Sequence, residues 1–283
     1  MVHVAPAPRS RSRFGYRLNA VGIGTMLVIL FWAIIAVFGP LITPYPPGEI
    51  VDFNYFMPMS SQFWLGTDYL GRDILSRIIV GARYTVGISL VAVCIACFVG
   101  VTLGMLAAVT GGWFDSVLSR LMDALISIPS KLFGLVVVAG IGSSIPVLIL
   151  TLAVIYAPGA FRFARALAVN VNTMDFITVA RARGERNAYL MRQEILPNIL
   201  GPVLADFGLR FVFIVLLLSG LSFLGLGVQP PNADWGSLVR ENIGGLSFGA
   251  PAVLMPSIAI ATLTISVNLL IDNLPVKIRD RSE

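Results

Sequence analysis

Residues 85–109 read TVGISLVAVCIACFVGVTLGMLAAV, 25 residues without one charged side chain. A helix needs about 20 mostly apolar residues to cross about 30 Å of hydrocarbon. This stretch meets that requirement in both length and polarity. Five further apolar stretches surround it, at 21–42, 117–141, 145–163, 199–223 and 252–273. Only Gly140 to Pro146 separates the third span from the fourth. A β-barrel would show alternating segments of about 10 residues. These runs are longer and continuous, so the expectation is an all-α membrane protein with six transmembrane helices. Tails at 1–20 and 274–283 and a polar loop at 164–198 complete the organisation.

The composition of the whole 283-residue chain agrees with the spans. It is 57% hydrophobic and 12% charged, with a mean hydropathy of +0.86. Soluble domains carry about 25% charged residues, so a soluble enzyme and a disordered chain are excluded. The first span is not a cleavable signal, because its apolar run is too long and no small-x-small site follows it.

The net charge of +5 would suit nucleic acid, but its distribution argues otherwise. Fourteen of the 20 Lys and Arg fall in the N-terminal tail, the turn after span two, the 164–198 loop region and the C-terminal tail. Arg72, Arg77, Arg83 and Arg240 lie on the opposite side, and Lys131 and Arg210 lie within spans. Basic residues mark cytoplasmic loops, so both termini are expected in the cytoplasm, and nucleic acid is not an expected partner.

Three polar segments are more than connectors. The outer segment 43–84 ends in LGTDYLGRDILSRIIVGAR at 65–83. Asp73 and Arg77 stand at i,i+4, with Ile74, Ile78 and Ile79 on one face, which predicts a short amphipathic helix over 73–82 lying on the membrane surface. Phe63, Trp64 and Tyr69 suit the interfacial aromatic belt. The inner loop predicts two short helices, one through Phe176, Val179 and Ala180 and one through Tyr189, Leu190 and Ile195, jointed at Gly184. Its exposed apolar face needs a partner. The outer segment 224–251 holds LGLGVQPPNADWG, with turns at its Gly and Pro residues and Trp235 placed at the interface.

These segments carry a family resemblance. Thr178-Val179-Ala180, Gly184 and Leu196-Pro197 match the spacing of the EAA loop of ABC importer permeases, although Thr178-Val179 replaces Glu-Ala and Glu194 replaces Ile. The stretch 65–83 (Gly66, Thr67, Asp68, Gly71, Arg72, Asp73, Ser76, Arg77, Gly81, Arg83) resembles a hallmark of the peptide and nickel importer permeases. LSFLGLGVQPPNADWGSLV at 221–239 (Gln229, Pro230, Pro231, Trp235, Gly236) resembles their second hallmark. The chain is therefore similar to the shorter permease of dipeptide and oligopeptide importers.

The resemblance implies a type I ABC importer permease fold and a set of partners: a second homologous permease, two ATPase subunits, an extracytoplasmic peptide-binding protein and membrane lipid. It makes the loop residues Asp175, Phe176, Thr178, Val179, Ala180, Arg181, Arg183, Gly184, Arg186, Leu196 and Pro197 the contact to an ATPase. The chain has no GxxxxGK[ST] phosphate loop, so ATP and magnesium are expected on the partners and no cofactor on this chain. No Ser/His/Asp or paired-carboxylate constellation survives the topology, so it is not expected to be an enzyme.

Charges inside spans are functional candidates. Asp206 and Arg210 stand at i,i+4 and can neutralise each other or line the pathway. Lys131 has no acid four residues away, and Asp123 lies eight residues earlier on roughly the same face. It either meets a peptide carboxylate or snorkels to an interface. Cys94-Ile-Ala-Cys97 lacks a second pair or a nearby His, so no metal is expected. Gly100-Val-Thr-Leu-Gly104 is a weak signal for contact with a partner helix. The alternative cargoes are nickel, haem or another small molecule. An ion-coupled secondary transporter would need internal repeats and paired mid-membrane acids, and neither is seen.

Overall fold

The computed structural model describes residues 20–249 and 251–273. The expectations for the N-terminal tail and for residues 274–283 lie outside them. The described chain is helical: α1 (Ala20–Ile42), α2 (Ile74–Thr110), α3 (Gly112–Ile126), α4 (Ser130–Ile141), α5 (Ile145–Asn172), α6 (Asp175–Ala182), α7 (Asn187–Phe223), α8 (Trp235–Glu241) and α9 (Pro251–Asp272). A 3-10 segment, Ile243–Phe248, precedes α9. Five of the helices are long and apolar enough to span a membrane, and α3 with α4 makes a sixth if that pair is one span. Residues 43–73 and 224–249 gather at one end of the bundle, called here the motif end. Residues 173–186 lie at the other, the loop end.

The third span is not straight. α3 and α4 meet at 82°. The cause is Pro129, which has no N–H to donate and disfavours helical backbone at Ile128 before it. Ser127 closes α3 and Pro129 opens α4. Asp123 and Lys131 therefore stand on two differently directed helices and share no face.

The surface helix expected at 73–82 does not exist as a separate element. α2 runs unbroken for 37 residues, because nothing between Ala82 and Thr85 stops it. At 1.5 Å per residue it is about 55 Å long, so its first turns stand clear of a bilayer. They are buried by protein: Ile74, Ser76, Arg77, Ile78, Gly81 and Ala82 all face inward. Asp73 is the N-cap, accepting hydrogen bonds from Ser76 N at 2.8 Å and Ser76 Oγ at 2.7 Å. Its carboxylate satisfies helix-end donors, and Arg77 pairs elsewhere.

α2 packs along α5 at backbone distance. A Cβ on Gly100 would lie 2.5 Å from Ala157 O, and one on Gly104 would lie 2.7 Å from Phe161 O. The Gly-x-x-x-Gly thus serves contact within this chain rather than with a partner helix. α1 lies on the other side, where Trp32 Nε1 donates to Thr262 Oγ1 of α9 at 3.1 Å and its ring meets Trp235 edge-on at 4.7 Å. The main core joins α1, α2, α4, α5, α7, α8 and α9. A second core at the loop end joins α6 to α2, α5 and α7.

Candidate functional site

The loop end is built around the eight-residue helix α6. Asp175 lies in its first turn and Arg181 in its last, each complementing the helix dipole. Gly184 follows at φ 83°, the left-handed backbone expected at the joint. Ile177 and Ala180 are buried against Leu190, Ile195, Val101 and Met105. The opposite face carries Phe176, Thr178 and Val179 into the open, with Val179 58% exposed. Of the three residues expected on one apolar face, Ala180 is thus turned inward and the other two outward.

Arg181 is exposed, but its guanidinium turns back onto the chain. Its Nη2 donates to Val109 O at 3.2 Å and to Asn172 Oδ1 at 2.9 Å. Asn172 Nδ2 in turn donates to Ala108 O at 3.0 Å. The last carbonyls of α2, the end of α5 and the end of α6 are tied in one knot. Arg183 and Arg186 are exposed. The second short helix expected here is instead the start of α7: residues 187–189 run through a π-helical stretch, Leu190–Ile195, directly into Leu196 and Pro197. A π turn widens a helix without ending it, so the chain passes Pro197 without a break.

At the motif end the two hallmark segments interlock. Asp68 is fully buried and accepts from Arg72 Nε and from Arg77 Nη1, each at 2.7 Å. Glu241, at the end of α8, accepts from the same two arginines at 3.1 and 2.8 Å. Two cations and two acids make a neutral buried cluster. Tyr69 N donates to Asn242 Oδ1 at 3.1 Å alongside. The Thr67 hydroxyl accepts from Met57 N at 2.9 Å. Gly71 sits at φ 76°, where a Cβ would lie 1.9 Å from Asp52 O.

Trp235 is fully buried, not interfacial. It donates through Nε1 to Ile78 O at 3.0 Å, and its backbone N donates to Thr85 Oγ1 at 3.0 Å. The indole needs a partner for its N–H when buried, and the turn of α2 supplies one. Gly236 permits the approach, since a Cβ there would lie 2.4 Å from Ser219 O. A Cβ on Gly81 would lie 3.2 Å from the indole. Asp234 caps α8 through a capping box and accepts from Ser222 Oγ at 2.7 Å. Burial pushes its carboxyl above the ordinary value, although hydrogen bonds from Ser222 and Ser237 pull the other way. Phe63 is also turned inward, with its ring 5.9 Å from Tyr45, whereas Trp64 is 70% exposed. Gln229 Nε2 folds back onto Gly227 O at 2.9 Å, while Pro230, Pro231 and Arg83 are exposed.

Sequence reasoning missed Glu241 and Asn242. The signal in the sequence was a charge imbalance: within 65–83 Arg72, Arg77 and Arg83 outnumber Asp68 and Asp73, and Glu241 lies just past the second hallmark.

Asp206 and Arg210 form the expected pair, at 2.6 Å through Nε and 2.9 Å through Nη2. Arg210 Nη1 also donates to Tyr156 O at 3.3 Å. Two further pairs tie α3 to α5: a two-pronged Asp115–Arg165 pair and an Asp123–Arg162 contact at 3.2 Å. Lys131 is exposed in the first turn of α4 and makes no ion pair among the described residues. It is not gathered with Asp206 and Arg210.

The profile of the binding-protein-dependent transport system inner membrane component family matches residues 100–280. The chain belongs to this family. Relatives in the same family extend the match over nearly the whole chain. A dipeptide transport system permease protein of Alkalihalophilus pseudofirmus is 32% identical over 90% of this chain and 84% of its own length. A di/tripeptide permease of Pseudomonas aeruginosa is 32% identical over 96% and 91%. A glutathione permease of Pectobacterium atrosepticum is 31% identical over 90% and 85%. The inward-facing MetNI methionine ABC transporter shares the fold, with a TM-score of 0.57 over 70% of this chain and 93% of that one at 17% identity. The permease fold therefore stands: a multi-pass helical membrane component of a binding-protein-dependent importer.

Proposed function

We propose that this chain is one of two permease subunits of a peptide importer in the bacterial inner membrane, with both termini cytoplasmic. The observation that carries the cargo is the near full-length match to dipeptide, di/tripeptide and glutathione permeases. All three named cargoes are short peptides. The geometry supports the division of labour. Phe176 and Val179 present an apolar face on a short helix bound to the ends of α2, α5 and α7. An ATPase subunit that grips this face moves the spans as a body. ATP and magnesium act on two such partner subunits, and a binding protein delivers the peptide at the motif end. The second permease supplies the other half of the pathway.

The test is reconstitution. The chain is co-expressed with its partner permease, ATPases and binding protein and placed in proteoliposomes. ATP-dependent uptake of labelled di- and tripeptides is the expected result. Uptake of a nickel chelate in place of peptides, or a chain active without ATPase subunits, would overturn the proposal.

A further inference from the structure

A cavity of about 300 Å³ lies between the α3–α4 elbow, α5 and α7. Its lining includes Ile128 and Ser130 from the elbow, Tyr156, Gly159 and Arg162 from α5, and Arg210 from α7. Two arginines face this space and no acidic side chain lines it. Its depth follows from helix rise. Tyr156 lies about 17 Å along α5 from Ile145, and Arg210 lies about 20 Å along α7 from Phe223. Arg162 lies about 26 Å from Ile145. In a hydrocarbon layer of about 30 Å, the cavity runs from mid-membrane to the inner edge. Each of the two arginines already holds a carboxylate from outside the lining, Asp206 on Arg210 and Asp123 on Arg162, so an arriving anion competes with the weaker of the two pairs.

The two arginines are held differently. Arg210 is fixed: Nε and Nη2 bind Asp206, and Nη1 binds Tyr156 O. Gly159 leaves it room, since a Cβ there would lie 2.5 Å from Arg210 Nη1. Arg162 is loose. Its contact with Asp123 is a single 3.2 Å approach, and the two side chains are 58% and 52% exposed. Exposed pairs of this kind contribute little. Asp123 itself lines the adjoining cavity of about 200 Å³, which Arg162 also borders. Arg162 thus borders both spaces and needs only a rotamer change to turn from Asp123 to a ligand in the larger one. The neighbouring Arg165 is not free in this way, because both prongs of its guanidinium are taken by Asp115.

We propose that this cavity receives the C-terminal carboxylate of the peptide in transit, with Arg162 as its contact beside the fixed, Asp206-paired Arg210. The proposal rests on the peptide-cargo reading above. Arginine matches a carboxylate through paired donors. The volume suits the terminal residue of a peptide rather than a whole oligopeptide, being at the low end for ligand pockets. Asp123 is the carboxylate that the cargo replaces.

The replacement gives a test with opposite signs. The complete permease–ATPase complex is placed in nanodiscs without nucleotide or binding protein. Equilibrium binding of tritiated alanyl-phenylalanine is compared with that of its C-terminal amide. Arg162→Gln weakens binding of the free peptide by roughly five-fold, a partly exposed charge-assisted bond. Asp123→Asn removes the competitor and tightens it. The amide binds more weakly and is indifferent to both changes. A merely structural Arg162–Asp123 pair would make both variants shift binding the same way, and that result overturns the proposal. So does an equal effect on acid and amide, loss of the second permease from the Arg162→Gln complex, or wild-type binding too weak to detect. Peptide uptake by the wild-type complex with its binding protein is measured in parallel. If that uptake is present while the variant pattern fails, the subsite alone is wrong.

Discussion

Arg77 is 4% exposed and lies between two carboxylates, Asp68 at 2.7 Å and Glu241 at 2.8 Å. A buried charge is tolerable only while its partners remain, and removing one partner leaves the other uncompensated. Arg77→Met strands a fully buried Asp68 with Arg72 as its sole cation, so we expect a loss of about 3–5 kcal/mol. The measurement is denaturation of the purified protein in detergent. Arg77→Met combined with Glu241→Gln restores neutrality and recovers much of that loss, as a double-mutant cycle would reveal. If the double variant is no more stable than the single one, charge balance is not what holds the cluster. The lesson for residues is that three of the hallmark's charged letters, Asp68, Arg72 and Arg77, face each other and Glu241. They fasten the start of α2 to the end of α8.

Among the helices, α2 and α5 depend on the absence of side chains at two positions. A Cβ on Gly100 would meet Ala157 O at 2.5 Å and Ala160 Cβ at 2.6 Å. Gly87, on the same helix, has nothing within 4 Å. Gly100→Ala forces the helices apart and costs about 1–3 kcal/mol, whereas Gly87→Ala is neutral or slightly stabilising through helix propensity. Thermal melting of the two variants side by side separates packing from propensity, and equal losses would refute the close-contact account. The run at 85–109 was legible because polarity and length alone decide a span. The same rules misread its neighbours where a single residue overrides the average. Hydropathy averages over Pro129, so the elbow between α3 and α4 looked like a straight span. The 73–82 stretch looked amphipathic because Arg77 and Asp73 read as solvent-facing. In the fold Arg77 faces Asp68, nine residues back, and Glu241, 164 residues on, while Asp73 faces the helix's own end; no local pattern reports a partner as distant as Glu241. The loop residue Gly184 was legible, since a left-handed joint is a local requirement.

For the molecule as a whole, what matters is that the loop end is tied to three spans. Ile177 and Ala180 are buried against α2 and α7, and Arg181 binds the last turn of α2 together with Asn172 of α5. A force applied to α6 therefore reaches three spans at once. Two kinds of variant follow, and they fail differently. Phe176 and Val179 form the exposed face and contribute little to the chain's own core, so Phe176→Asp with Val179→Asp leaves melting within about 0.5 kcal/mol of the parent. It abolishes co-purification of the ATPase subunits, because two buried carboxylates would have to be desolvated at an apolar contact. Arg181→Gln leaves the proposed docking face untouched but loosens α6 from α2 and α5. The ATPases then remain bound and hydrolyse ATP, while peptide delivered per ATP falls several-fold. Measuring bound ATPase, hydrolysis and uptake on the same preparations distinguishes the two. If Arg181→Gln instead releases the ATPases, the guanidinium acts at the docking surface and not as the tie that carries motion into the membrane helices.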